Sequence, residues 1–560
     1  MKTEYAKIFE TQIAEGIIER VVEEKTPEFG KCYYMPHHAV VKLDRETTKV
    51  RVVYDASSKS SGLSLNQALH QGPSLLTEIY KVLMRFRWHK VAVTADIEKA
   101  FLNIAVSKPD RDFLRLLWFE DPLDDQSPIV IYRFTRVVFG VTSSPYHLNA
   151  TVRYHLMKYE LEHPTIVAEV LKSLYVDDYT GGSENDMMGT ELYYTLNKMM
   201  ETGGFNLRKW ATNSEALRKI IEKDTRVAEK IPAGDDLSNK LGETQTYAEC
   251  TIASPETCDG EFIKRVLGIA WNIKTDEIMY TFDSFVDSLK ELRRTKRGLL
   301  GVIARLYDPL GLISPVTTKL KASFQVLCAN KLGWDDPLDI ETLKMWSSML
   351  SALESPKPIT VPRCYLRLLG GYVNSVQLHT FVDASDLAYA AICYLRIEQD
   401  GVVHVSPVTA KSRVAPLKMI SSPRPELTTP RLELLAAVMG SKLSETVREV
   451  LSSLCSFQSI RFWSDSMTVL YWIRGKEREY KQFVENRLSK IRSRSEVSDW
   501  HHVPGECNPA DIGSRGATVS ELANSELWFE GPTWLKEGEE KWPQSVKLDG
   551  PTEESVGDQG

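Results

Sequence analysis

The sequence predicts an α+β multidomain chain, and three observations carry that expectation. At 560 residues the chain is too long for one compact core, and its length suggests about three or four domains. Apolar residues make up 42% and charged residues 26%, the balance of an ordinary globular protein. Helical and β-prone stretches mix from the first residues onward.

The net charge of -7 does not advertise a phosphate-bearing partner, so any such contact has to come from local basic patches. The cysteines at 32, 250, 258, 328, 364, 393, 455 and 507 form no CxxC pair and no zinc-finger spacing, which predicts inert thiols in a reducing compartment. There is no apolar signal core and no run near the length of a membrane span, so a soluble, cytoplasmic chain with no membrane partner is expected.

In chain order, apolar spacing predicts a helix over 4–24, then strands at Tyr33–Met35, Ala39–Lys42 and Val50–Tyr54, with a hairpin from Lys42 to Tyr54. Leu75 to Phe86 repeats at helical spacing. Residues 223–262 are charged, contain Gly, Pro and Asn, and read as an exposed insertion. Helices are expected from 284 to 352, broken at Asp308-Pro309-Leu310-Gly311 and Ser314-Pro315. From Gln377 the pattern is strand, strand, helix, strand, helix, a second α/β unit. Residues 519–560, rich in Gly, Pro and Ser, read as a linker or tail despite Trp528, Trp534 and Trp542.

Two adjacent carboxylates, Asp177 and Asp178, end the β-prone run Ser173-Leu174-Tyr175-Val176. Neighbours in a strand point to opposite faces, so the pair can share a site only where the backbone turns. Gly181-Gly182 is expected to supply that return. Alone, Asp177-Asp178 is an acidic surface turn, and Asp96, which ends the apolar run 91–95, is a helix cap. Together they are three carboxylates at the tips of β-prone elements, as a palm-like sheet would hold them. Such hard oxygen ligands suit two Mg²⁺ or Mn²⁺ ions and an in-line phosphoryl transfer. Arg51 is either a triphosphate contact or a solvated arginine. Phe101 is either a wall against a 2′-hydroxyl or core, and Phe139 to Pro145 is a turn that opens a helix.

These segments resemble, in order, the motifs of a reverse transcriptase of the BEL/Pao class of LTR retrotransposons. The matching residues are Arg51-Val52-Val53-Tyr54-Asp55 with Ser64-Leu65-Asn66, Ala95-Asp96 through Phe101, Phe139-Gly140 through Pro145, and Tyr175-Val176-Asp177-Asp178. Leu207-Arg208-Lys209-Trp210 is similar to the lysine-bearing motif, and Val266-Leu267-Gly268-Ile269 to the primer-grip hairpin. The resemblance implies that Asp96, Asp177 and Asp178 hold the polymerase metals. It implies that Arg51, Phe101, Phe139, Gly140 and Lys209 line the nucleotide site, and that Leu267 and Gly268 grip the primer. Many viral relatives carry Gln where Phe139 stands, so contacts made by that side chain do not carry over.

A second ordered set, Asp383, Glu433, Asp465 and Asp511, lies on two strand ends and two helical stretches, and is able to hold two further Mg²⁺ ions for hydrolysis. It resembles ribonuclease H. Between the two sets, Lys290, Arg293, Arg294, Lys296, Arg297 and Arg305 make a basic stretch, either solvated or gripping nucleic acid; Arg487, Lys490, Arg492 and Arg494 make another.

The resulting expectation is right-hand polymerase fingers and palm over 1–282, a helical thumb and connection over 283–374, and a ribonuclease H-like α/β domain over 375–518. It implies RNA- and DNA-directed DNA synthesis with RNA template, DNA primer, RNA–DNA hybrid and dNTPs as partners, and two metals per site. Other Pol or Gag products and a retrotransposon particle complete the expected setting. With no protease or integrase signature in view, a central fragment of a polyprotein is expected. The competing expectation is a host-retained relic that binds nucleic acid without catalysis.

Overall fold

The computed structural model describes residues 2–22, 30–41, 50–59, 62–122, 124, 126–230, 262–282, 286, 294–329, 332–353, 357–368, 371–416, 427–475 and 480–544. The chain divides into two units, Met1–Glu78 with Val91–Thr251, and Ile79–Lys90 with Ile252–Gly560.

The strands of the first unit are β1 (Ile18–Arg20), β2 (His37–Val41), β3 (Val50–Tyr54), β4 (Val91–Ile97), β5 (Arg115–Phe119), β6 (Ile129–Phe134), β7 (Leu174–Tyr175), β8 (Asp178–Ser183) and β9 (Leu207–Thr212). They form a β1-β6-β5 sheet, a β2-β3 hairpin and a β7-β8-β4-β9 sheet, all antiparallel. In β4 nearly every position is buried, so Val91, Val93, Ala95 and Ile97 meet a core built from the helices Ser144–Met157, Pro164–Ser173, Asp186–Thr202 and Glu215–Lys230. The first helix stops at Ala14 rather than at 24, because Gly16 takes a left-handed φ of 67° and Ile18–Arg20 pairs with β6. The expected insertion begins inside a helix, which runs to Lys230; 231–261 lie outside the described residues.

The second unit holds β10 (Ile263–Val266), β11 (Ile269–Asn272), β12 (Glu277–Tyr280), β13 (Ile359–Pro362), β14 (Val373–Ala384), β15 (Ala388–Gln399), β16 (Val402–Val414), β17 (Ser459–Ser464) and β18 (Trp500–His502). The first four make an antiparallel sheet. The other five run in the order β16-β15-β14-β17-β18, with β14, β17 and β18 mutually parallel. β16 is a strand the sequence pattern did not separate from its neighbour. The helix Thr429–Leu451 crosses β14 and β15 at Gly440, where an added Cβ would lie 2.4 Å from Val382 Cγ1.

The Asp308–Gly311 turn closes against β16. Leu310 O accepts from Ala410 N and Thr409 Oγ1, each at 2.8 Å, and a Cβ on Gly311 would sit 1.8 Å from Ala410 O. The helix Ser314–Ala329 then packs on β16, which covers that sheet edge. The segment Ile79–Lys90 belongs to this unit through two buried guanidiniums. Arg363 pairs with Asp276 at 2.6 and 2.7 Å and donates to Phe86 O and His89 O, while Arg87 donates to Arg363 O and Pro407 O.

Residues 519–544 are folded, not a tail. Trp528 is buried and donates to Leu312 O at 2.8 Å, and Trp534 and Trp542 close over Trp463 with ring centroids at 4.8 and 6.1 Å. Burying those indoles outweighs the local Gly, Pro and Ser content. Residues 545–560 lie outside the described residues. Among the described residues no helix is long and apolar enough to cross a membrane.

Candidate active sites

The first carboxylate set is made by strand register. Tyr175 pairs with Asp178, so Val176 and Asp177 form a two-residue hairpin turn, with Val176 at a φ of 57°. That conformation strains a β-branched residue and marks a backbone held by its surroundings. Gly181 and Gly182, expected at the return, instead lie within β8 opposite Val93 and Ala92. Gly181 is needed for closeness: a Cβ there would meet Tyr179 Oη at 2.5 Å.

On the neighbouring strand, Asp96 is the direct cross-strand partner of Asp178, and Ile97 N donates to Asp177 O at 2.8 Å. Directly opposed residues project from the same face with Cβ atoms about 5 Å apart, and like charges so placed repel. Asp96 and Asp177 are buried, which sharpens the cost. Opposite Asp96 on its other side stands Arg208, whose Nε donates to Asp96 Oδ2 at 3.2 Å and whose Nη1 reaches Glu98 Oε1 at 3.2 Å. Sequence reasoning missed Arg208, although it adjoins Lys209 in the segment already singled out. Lys209 itself is exposed at a φ of 51°, where β9 bulges against β4 between Thr94 and Asp96.

Phe101 is buried and meets Phe139 edge-on with ring centroids 5.3 Å apart. Gly140 has a φ of 92° and approaches Tyr54 O so closely that a Cβ would lie 2.7 Å away. Asn66 fastens that turn, donating to Gly140 O at 2.9 Å and accepting from Thr142 N at 2.8 Å. Arg51 is placed by its backbone opposite Val40; its side chain lies outside what the structure describes.

The second set depends on parallel strands and a helix. Val382 pairs with Ser464, so Asp383 and Asp465, the next residues of each strand path, emerge side by side at the carboxyl ends of β14 and β17. Asp511 lies in the first turn of the helix Pro509–Arg515. Asn508 caps that helix through Ala510 N and donates to Val382 O at 3.0 Å, which pins it to the end of β14. Ser514 Oγ donates to Asp383 Oδ2, and Arg515 Nε to Asp511 Oδ1 at 2.6 Å.

Burial, and then the charges of Asp465 and Asp511, push the Asp383 carboxyl up to about 7, with the Ser514 bond opposing the rise. Burial and the Asp511 charge raise Asp465 as well. Asp465 Oδ1 is buried with no hydrogen-bond partner among the described residues, an acceptor left for a cation. His502, at the end of β18, is lowered by burial while the Asp465 charge opposes that shift. Glu433 lies on the helix Thr429–Leu451, and the residue before it, Leu432, packs with Ala384 beside Asp383. Among the described residues no three carboxylate, imidazole or thiol groups are gathered tightly enough to enclose a metal ion.

The other expected contacts divide. Leu267 and Gly268, at φ 47° and 86°, form the two-residue turn joining β10 to β11, as a tight hairpin requires. Lys296 is not on an open face: it is buried, with Nζ 4.9 Å from the Trp334 ring centroid and 3.4 Å from Leu332 O. Arg297 is exposed and makes a two-pronged pair with Asp335 at 2.8 and 2.9 Å, and Arg294 is exposed. Arg293 and Lys290 lie outside the described residues. In the second basic stretch, Arg492 caps carbonyls of Trp472 and Ile473, and Arg487 lies over Phe483.

The model of a family described as the Pao retrotransposon-like RNaseH-like domain matches residues 295–466. Among solved structures, the fold is similar to that of a foamy viral protease-reverse transcriptase dRH in complex with ds DNA (TM-score 0.52, 15% identity, 90% of this chain and 69% of that one). It is similar also to the foamy viral protease-reverse transcriptase in complex with RNA/DNA hybrid (0.52, 14%, 90% and 54%) and in complex with dsDNA (0.50, 14%, 90% and 83%). No curated protein matches the sequence.

Proposed function

We propose that this chain, a BEL/Pao-type Pol segment, is an RNA- and DNA-directed DNA polymerase that also hydrolyses the RNA of RNA–DNA hybrids. The observation that carries the polymerase half is the facing of Asp96 and Asp178 across β4 and β8, with Asp177 in the turn between β7 and β8. The sheet around them serves as palm, β1, β5 and β6 with the β2-β3 hairpin as fingers, and the β10-β11 turn as primer grip. Phe101, braced by Phe139, limits room beside the incoming sugar, and Lys209 is exposed toward solvent for phosphate. The hydrolytic half rests on Asp383, Asp465 and Asp511, with Glu433 as the fourth carboxylate.

Mg²⁺ or Mn²⁺ bound at either set supplies Lewis acidity to the attacking and leaving oxygens of a phosphoryl transfer. The protein's own contribution is position: register fixes Asp96 against Asp178, Asn508 fixes the helix of Asp511, and Ser514 orients Asp383. Double-stranded DNA, RNA–DNA hybrid and dNTPs are the partners this reading requires.

The test is primer extension on an RNA template with Mg²⁺ or Mn²⁺, beside a chain carrying Asp177→Asn and Asp178→Asn. Extension by the unaltered chain and none by the variant supports the reading. Folded, hybrid-binding protein that extends nothing overturns it.

A further inference from the structure

Asp96 is flanked by opposite signs. On β8 it faces Asp178 and on β9 it faces Arg208, so one row across the sheet reads carboxylate, carboxylate, guanidinium. Arg208 is held from two directions: it bonds Asp96 at 3.2 Å and Glu98 at 3.2 Å, and Glu98 is itself fixed by Asn206 Nδ2 at 2.8 Å. The Arg208 side chain is only 22% exposed and that of Asp96 6%, so solvent screens their attraction weakly.

We infer that Arg208 is a positioning residue, a built-in counter-charge that makes the Asp96–Asp178 pair tolerable without cations and competes with cations for Asp96. This inference rests on the polymerase reading of the first carboxylate set. Two consequences follow from Coulomb's law. Without metal, removing Arg208 leaves two facing carboxylates with less compensation, so the first unit loses stability. With metal, the same removal takes a positive charge from beside Asp96 and makes the site more negative, so a divalent cation binds more tightly. A merely structural arginine would give the first effect and the reverse of the second, because a damaged site binds metal less well.

The experiment is Mn²⁺ titration of the full chain followed by electron paramagnetic resonance, in a background of Asp383→Asn and Asp465→Asn that removes the second set. In that background Arg208→Gln should tighten Mn²⁺ binding by roughly fivefold, the size expected of one lost Arg–carboxylate competitor. It should also lower the metal-free melting temperature, and Arg208→Lys should restore most of both. Unchanged or weaker Mn²⁺ binding in a folded Arg208→Gln chain overturns the inference while leaving the polymerase reading in place. If Asp96→Asn leaves Mn²⁺ binding unchanged, Asp96 is not a ligand, and both fail.

Discussion

The two carboxylate sets meet the same electrostatic demand with opposite kinds of backbone. In the first, antiparallel register alone brings Asp96 and Asp178 face to face, and a two-residue turn adds Asp177. In the second, parallel strands put Asp383 and Asp465 side by side, and a helix far along the chain must be pinned by Asn508 to bring Asp511 near. Their charge compensation differs as well. The first set has a guanidinium, Arg208, bonded to Asp96, whereas Asp383 has a hydroxyl, Ser514, and its pKa rises to about 7. In the second set the guanidinium of Arg515 pairs with Asp511 rather than with Asp383, so Asp383 itself is left to burial and its neighbours' charges, whereas at Asp96 a cation must compete with Arg208 directly.

The strongest way to break this comparison is to disable each set in turn. Asp177→Asn with Asp178→Asn should lower RNA-templated extension by about a thousandfold or more and leave hybrid cleavage intact, and Asp383→Asn should do the reverse. Radiolabelled primer extension and hybrid cleavage on the same preparations measure both. Loss of both activities in either variant would mean that the sets do not act separately.

A smaller effect distinguishes the sets by pH. Folded Asp383 keeps its proton up to about pH 7, whereas an unfolded aspartate loses it near 4, so the folded state binds more protons between those values. Stability from this group is therefore full below about pH 4 and is lost as pH rises through about 7. Asp383→Asn should abolish that loss, raising metal-free stability by on the order of 2 kcal/mol at pH 8 and by less at pH 5. Melting curves at the two pH values check it, and a gain that did not grow with pH would refute the burial account. Asn508→Ala comes next, costing about 1 kcal/mol through its lost cap and lost bond to Val382 O. It should slow hybrid cleavage and leave extension unchanged.

The same contrast governs how legible each part was in the sequence. Asp96, Asp177 and Asp178 could be read because a strand end and a tight turn are local events, with an apolar run stopping at a carboxylate. The turn itself was misplaced: Gly181-Gly182 looked like the return, yet β8 needs Gly181 for its closeness to Tyr179, and Val176 bears the positive φ. Arg208 was invisible because its role depends on a register slip at Lys209 that no periodicity announces. Residues 519–544 read as a tail because their indoles are buried by partners more than fifty residues away, such as Trp463 and Leu312. Lys296 read as part of a basic face, but helical spacing could not reveal that Trp334 covers it.

The smallest predicted effect is the most specific. Ser514 Oγ donates to Asp383 Oδ2, and this bond favours the ionised carboxyl, holding the pKa below what burial and the Asp465 and Asp511 charges would impose. Ser514→Ala removes the donor while leaving the helix and its Asn508 anchor in place. The Asp383 pKa should then rise further, and because metal requires the ionised form, the pH profile of hybrid cleavage should move in the alkaline direction by about half a unit. Ser514 bonds Asp383 in the second set and makes no bond to Asp96, so the profile of primer extension should not move. A shift of both profiles would locate the effect in nucleic-acid binding common to the two activities. A shift of cleavage alone would assign the proton to the second carboxylate set.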